Sequence, residues 1–266
     1  MKLGEKIRKG ENIGLLGKEG SAGCWSHLHY EIRALQPSGR AGIVDGYAFF
    51  WEAYRNQYSP EIVAVARPHV FAAVGETVTL DGSKSWSRSG SIQSYEWTLS
   101  NGSKLPGPIV RATYDRPGTY SEILKVRDGG GHTVYDFAVV QISAHLTGRV
   151  EEEDMPPTIH AAYAPTFDLR VGQPIAFLVR TCRTTEGHET WDFGDGTPPV
   201  TVTSDGCADP QGEHGYARTE HIYAKPGDYL VSVARSNRRG EKATARLHVS
   251  VGNGTVLQSS SVATHP

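Results

Sequence analysis

One seven-residue spacing occurs twice in the chain, Tyr114-Asp-Arg-Pro-Gly-Thr-Tyr120 and Tyr223-Ala-Lys-Pro-Gly-Asp-Tyr229. Matching signals surround each copy. Val74-Gly75-Glu-Thr-Val-Thr-Leu-Asp-Gly-Ser and Tyr95-Glu-Trp97 precede the first. Val171-Gly172-Gln-Pro-Ile-Ala-Phe and Trp191-Asp-Phe-Gly-Asp-Gly196 precede the second. An alternating run follows each, Ile123-Leu-Lys-Val-Arg and Leu230-Val-Ser-Val-Ala-Arg, and a Gly-bearing turn leads to a last strand near 137–142 and 243–251. Such an internal repeat implies two copies of one structural module.

The physics of each copy is that of a β-sandwich. In Pro-Gly the proline presets φ and the glycine is expected to supply the unusual φ of a tight corner. Tyr120 and Tyr229 are expected in the core, their rings buried and their hydroxyls kept near water. Trp97 and Trp191 fit the role of the large central core residue.

Composition agrees. Thirty glycines and fifteen prolines separate short runs rich in Val, Thr, Tyr and Trp, the pattern of an all-β chain with many turns. A length of 266 residues suits two or three modules. No run approaches the ~18 apolar residues of a spanning helix. A net charge of -2, with no basic stripe, gives no sign of a nucleic-acid partner. Oligomeric state is not legible.

Residues 1–44 read as short strands and Gly-rich turns, and Leu28, Tyr30 and Ile32 alternate with His27, His29 and Glu31. Residues 45–59 form a helical linker. Phe50, Ala53, Tyr54 and Gln57 share helical spacing, Asp45 can cap the start, and Ser59-Pro60 ends it. The modules span 60–143 and 157–252. Between them, 144–156 holds an acidic run before Pro-Pro, a solvated and stiffened linker. A polar tail, 253–266, is expected to be disordered. Of the three cysteines, Cys182 and Cys207 share the second module. They either bridge, for ~3 kcal/mol, or stand as two unpaired small residues.

Leu-Asp-Gly-Ser, Ser-Tyr-Glu-Trp, Trp-Asp-Phe-Gly-Asp-Gly and Tyr-X-X-Pro-Gly-X-Tyr resemble the PKD domain, an immunoglobulin-like β-sandwich of extracellular bacterial enzymes and cell-surface proteins. The first copy departs from the pattern, with Trp97-Thr-Leu-Ser-Asn-Gly102 in place of Trp-Asp-Phe-Gly-Asp-Gly. The second carries an insertion around Asp205 to Tyr216. The resemblance implies a spacer, or a module that binds glycans or protein partners, without a catalytic set. Asp192 and Asp195 are of the right chemistry for calcium, but capping their turns through Asx hydrogen bonds is the preferred reading. Trp86, in Lys-Ser-Trp-Ser-Arg, is the candidate for stacking on a sugar.

Residues 4–33 resemble the C-terminal end of a lysostaphin-type zinc endopeptidase domain, a class that cuts peptide crosslinks of bacterial cell walls. Its Gly-rich approach corresponds to Gly4 to Gly17, and its final strand to Gly23-Cys-Trp-Ser-His-Leu-His-Tyr-Glu-Ile. Residues two apart on a strand share a face. The resemblance makes His29 a zinc ligand and His27 the general base or transition-state stabiliser beside a water whose pKa the metal lowers to about 7. A catalytic zinc needs three protein ligands. The family draws the other two from a His-X-X-X-Asp motif upstream, yet His27 is the first histidine here. His132-Thr-Val-Tyr-Asp136 and His188-Glu-Thr-Trp-Asp192 fit that pattern but lie inside the sandwich modules. The expectation is therefore a β-rich peptidase remnant that retains no zinc, one short helix and two tandem immunoglobulin-like sandwiches, without peptidase activity. An active endopeptidase whose catalytic half is missing from the sequence, and a carbohydrate-binding accessory protein, are the alternatives. The start lacks a secretion signal. The resemblances imply an extracellular or periplasmic site and a cell-wall peptide or polysaccharide as partner.

Overall fold

The computed structural model describes residues 5–8, 11, 31–44, 46–144, 155–203 and 216–252. The described residues are all-β with one short helix, and the chain divides into two compact units after Pro60.

In the first unit, β1 (Ile32–Leu35) and β2 (Ala41–Val44) form an antiparallel hairpin, closed where the Gln36 N–H donates to the Arg40 carbonyl. Helix α1 (Tyr47–Tyr58) follows. Gly46, not Asp45, occupies its N-cap, and no side chain bonds the first turn there; Asp45 itself lies outside the described residues. Ser59 takes a left-handed φ of 45° and its N–H closes the last turn on the Arg55 carbonyl. Two of the residues at helical spacing, Phe50 and Tyr54, are 49% and 44% exposed, and aromatic rings pack along the helix, Trp51 on Tyr54 and Tyr54 on Tyr58.

The second unit holds two sandwiches. The first comprises β3 (Ile62–Val63), β4 (Val70–Ala73), β5 (Thr77–Asp81), β6 (Trp86–Ser87), β7 (Ile92–Thr98), β8 (Lys104–Pro106), β9 (Ile109–Thr113), β10 (Gly118–Asp128) and β11 (Thr133–Ser143). Strands β8, β7, β10, β11 and β4 make one sheet, and the pairs β3–β6 and β5–β9 stand outside it. The second sandwich comprises β12 (Thr158–Ala164), β13 (Pro174–Cys182), β14 (Glu189–Asp192), β15 (Val200–Val202), β16 (Ala217–Ile222), β17 (Gly227–Ser236) and β18 (Lys242–Val251). Its sheets run β15-β14-β17-β18 and β12-β13-β16.

Alternation along the strands builds the two cores. In β10 and β11, Leu124, Val126, Ala138, Val140 and Ile142 face inward on Trp97, which is fully buried. In the second sandwich Ile175, Phe177, Val179, Val231 and Val233 surround an equally buried Trp191. Removing a fully buried Val, Leu or Phe side chain from water is worth ~1.5–3 kcal/mol. These two clusters therefore supply most of the drive to fold. Neither indole N–H has a hydrogen-bond partner, so both rings hold their places by packing.

The two sandwiches share a sheet. Strand β10 pairs with β18 in parallel through Gly118↔Lys242 and Thr119↔Ala243, which makes one nine-stranded sheet. The acidic run expected as a solvated linker lies outside the described residues, but Pro156 and Pro157, which end it, are buried. The Thr119 hydroxyl donates to the Pro157 carbonyl at 2.7 Å.

Candidate functional site

The Tyr-X-X-Pro-Gly-X-Tyr segments fold alike. The Tyr120 hydroxyl donates to the Arg116 carbonyl at 2.8 Å, and the Tyr229 hydroxyl to the Lys225 carbonyl at 2.7 Å. Each tyrosine thereby ties the end of its corner to the start of the following strand. Their rings lie against Tyr114 and Tyr223 at 4.6 and 4.0 Å. Tyr120 and Tyr229 are half-buried edges of the cores rather than their centres. Of the two corner glycines only Gly227 adopts the unusual φ expected of them, at 159°, whereas Gly118 is not left-handed. What Gly118 contributes is the absence of a side chain: a Cβ there would stand 2.7 Å from the Lys242 carbonyl oxygen. The parallel seam between the sandwiches needs that gap.

Further groups secure the seam. Arg246 on β18 donates through Nε to the Ser121 carbonyl on β10 at 2.9 Å. His248 meets the Tyr135 ring edge-on at 5.1 Å and shares a hydrogen bond with Asp228 at 3.0 Å. Beside the seam Glu122 is fully buried, accepting from the Tyr114 and Ser100 hydroxyls, both at 3.0 Å. Burial raises the Glu122 pKa against the opposing pull of those bonds and of the Arg246 charge. Tyr114 is pushed up by burial and then by the Glu122 charge, and Arg246 is pulled down by burial.

The second sandwich hides an ion pair of its own. Arg235 donates to Glu189 at 2.9 Å, with both side chains almost wholly buried, and Thr181 donates to the same carboxylate oxygen at 2.7 Å. Neither Glu122 nor this pair was anticipated. The signal for Glu122 is its parity: on a strand it shares a face with Leu124 and Val126.

The remaining sequence candidates scatter. His27, His29 and Cys207 lie outside the described residues, and Cys182 is half-buried on β13. His132 turns its ring to Asp128 at 3.1 Å, while Asp136 accepts the Ala66 N–H at 2.7 Å. His188 pairs with the Thr203 hydroxyl, while Asp192 accepts the Gly194 N–H. Neither His-X-X-X-Asp couple points its two ends at one place. Among the described residues no three His, Cys, Asp or Glu side chains are grouped to hold a metal. Asp192 and Asp195 cap their turns on Gly194 and Thr197, and Asp195 also bonds His221 at 2.8 Å. Burial opposes ionisation of Asp195, but the bonds from Thr197 and His221 hold its pKa below the usual carboxylate value. Trp86, the candidate for stacking on a sugar, is half-buried on β6, where its backbone pairs with Val63.

Family models described as PKD domain match residues 58–142 and 161–251. The PKD1 domain of Vibrio anguillarum Epp is 23% identical, over 30% of this chain and 89% of that one, with a TM-score of 0.25. The PKD domain of an M14-like peptidase from Thermoplasmatales archaeon SCGC AB-540-F20 is 16% identical, over 36% of this chain and 96% of that one, with a TM-score of 0.29. The fibronectin(III)-like modules of Clostridium thermocellum CbhA are 13% identical, over 73% and 94%, with a TM-score of 0.26. At this level the likenesses bear on neither ligand nor activity.

Proposed function

The chain belongs to the PKD-domain family, with two such domains in tandem, and from that premise we propose that it acts outside the cell as a stiff, non-catalytic spacer. PKD domains are typically non-catalytic extracellular modules. The observation that carries the reading is the shared sheet: β10 of the first domain continues into β18 of the second, with the Arg246–Ser121 and Thr119–Pro157 bonds across it. Two domains on a flexible tether diffuse independently. Two domains that share backbone hydrogen bonds transmit position and load from one end to the other.

What such a spacer would hold is suggested by residues 4–33 and their resemblance to a cell-wall zinc endopeptidase. His27 and His29 are two groups where a catalytic zinc takes three protein ligands, so this segment by itself would not activate water. A cell-wall peptide or polysaccharide is the partner that this ancestry suggests. A sugar-binding role through Trp86 has less support, because that residue is partly buried on β6.

The test is to load the purified chain with zinc, count the bound metal, and assay hydrolysis of a crosslinked cell-wall peptide. No stoichiometric zinc and no turnover are expected. One tightly bound zinc with turnover would replace the spacer reading with that of an active endopeptidase.

A further inference from the structure

The two domains carry the same cleft with different chemistry. In the first, Lys125 and Arg127 alternate along β10 with the buried Leu124 and Val126. They therefore stand together on the outer face of the sheet, ~7 Å apart along the strand. Lys125 lies opposite Glu96 on β7, and Arg127 lies opposite Ser94. Lys104 on β8 donates to Glu96 Oε1 at 3.2 Å. These side chains and Pro106 line a cleft of about 330 Å³.

Two kinds of group in this cleft are presented without a partner. Among the described residues neither Lys125 nor Arg127 makes a side-chain hydrogen bond or ion pair, although Lys125 is half-buried. Glu96 is half-buried as well, and its Oε2 accepts no bond among them. Counted from the core tryptophan and the second corner tyrosine, the second domain has Thr190, Ala234 and Ser236 in the places of Glu96, Lys125 and Arg127. Its cleft, of about 340 Å³, keeps a lysine from β18, Lys242, but no carboxylate is among its described lining residues. Both domains close the same sheet, so the fold itself does not require the charges of the first.

A guanidinium and an ammonium side by side suit a carboxylate through charge-assisted hydrogen bonds. A carboxylate beside them repels a simple anion and accepts O–H donors. A sugar acid answers both demands, because hydroxyls flank its carboxylate on the ring. An acidic peptide brings carboxylates without those donors and leaves Glu96 facing like charge. We propose that the first domain's cleft binds an acidic polysaccharide. A sugar carboxylate lies on Arg127 and Lys125, a ring hydroxyl donates to Glu96 Oε2, and the apolar edge of the ring rests on the exposed Pro106. The polysaccharide class rests on the partner suggested by the reading above, but the site needs neither the shared sheet nor the lack of peptidase turnover.

The test is an NMR titration of the full chain, followed at backbone amides, with tetragalacturonate as probe, maltotetraose as its neutral counterpart and tetraglutamate as the acidic peptide. Tetragalacturonate should give saturable shifts at Ser94–Glu96 and Lys125–Arg127, weakened by added salt because exposed charges are screened, and should bind tighter than either control. Lys125→Ala with Arg127→Ser, which copies the second domain, should weaken binding roughly tenfold or more, the scale of a lost charged hydrogen bond, with the unfolding midpoint unchanged. Glu96→Ala should weaken tetragalacturonate and not tetraglutamate. The ranking of the three probes on the unaltered chain serves if a variant does not fold. Absence of saturable shifts, tetraglutamate or maltotetraose binding as tightly as tetragalacturonate, or full binding by the double variant overturns the proposal. Any of these results leaves the spacer reading standing, since that reading is tested by metal content and turnover.

Discussion

Arg246 of the second PKD domain and Ser121 of the first are joined across the domain seam, guanidinium Nε to backbone carbonyl, at 2.9 Å. The same guanidinium lies close enough to Glu122 for each to oppose the other's loss of charge. Arg246 is thus both a tether and the cation nearest a buried carboxylate. Replacing it with alanine removes a charged hydrogen bond, worth ~1.5–3 kcal/mol. Arg246→Ala should lower the stability of both domains by about that amount, read from the midpoints of urea unfolding. An unchanged midpoint would show that the bond is ornamental.

The corner glycines are twins in sequence and not in role. Gly118→Ala drives a Cβ to 2.7 Å from the Lys242 carbonyl oxygen, so backbone must move. Gly227→Ala places its Cβ no nearer than 3.6 Å to the Tyr229 ring, but at a φ of 159° that side-chain-bearing residues rarely adopt. The first should cost ~1–3 kcal/mol, the scale of overpacking a tight site, and the second ~1–3 kcal/mol through backbone strain. Hydrogen exchange of the two variants side by side separates the causes, since only Gly118→Ala should lose protection where Thr119 pairs with Ala243. Equal protection there in both variants would mean that the seam does not depend on Gly118.

Glu122 makes stability depend on pH in a definite direction. Its folded-state pKa is raised by burial, so the native state holds the proton more readily than the unfolded chain does. Its contribution is full below the unfolded value of about 4.3 and is lost as pH rises through the higher folded value. Burial depresses His69 and His160, whose contributions run the other way, present above about 6.5 and lost as pH falls. They cancel in a comparison of two otherwise identical proteins. Glu122→Gln should therefore gain on the parent progressively as pH climbs from 4 to 8, measured by chemical unfolding at each pH. A constant difference would place Glu122 in contact with water.

The Arg235–Glu189 pair has both charges out of solvent. Removing one partner strands the other, at a cost of ~3–5 kcal/mol. Arg235→Ala should destabilise the second domain by that much, whereas Arg235→Met paired with Glu189→Leu should recover most of it. Failure of the double variant to recover would assign the loss to the Thr181 and Glu186 contacts that Arg235 and Glu189 also make.

The modules were legible because their signals are local. Pro-Gly between spaced tyrosines, a tryptophan opposite an alternating strand and glycine-marked turns each depend on residues close in the chain. Trp97 and Trp191 could be placed at the two core centres on that ground alone. The seam was not legible. Main-chain pairing of Gly118 and Thr119 with Lys242 and Ala243 has no side-chain period, and the residues it joins are far apart in sequence. Gly118 looked like a turn glycine, and its use lies in a neighbour that only the fold brings close. Glu122 was readable but unread: its strand parity with Leu124 and Val126 puts it inside, and its counterpart Val231 marks the position as core. Helix α1 showed helical spacing, yet spacing cannot say whether the apolar face finds a cover, and Phe50 and Tyr54 remain exposed.

Hydrogen exchange tests most directly whether the two domains behave as one body. Val249 is fully buried in the core of the second domain, so Val249→Ala should open a small void there and lower stability by ~1–3 kcal/mol. If the shared sheet couples the domains, amides of Leu124 and Val126 in β10 lose protection together with those of Val231 and Val233 in β17, and by a similar free energy. Loss confined to β17, with β10 exchanging as before, would contradict the account and leave two independent domains on a string.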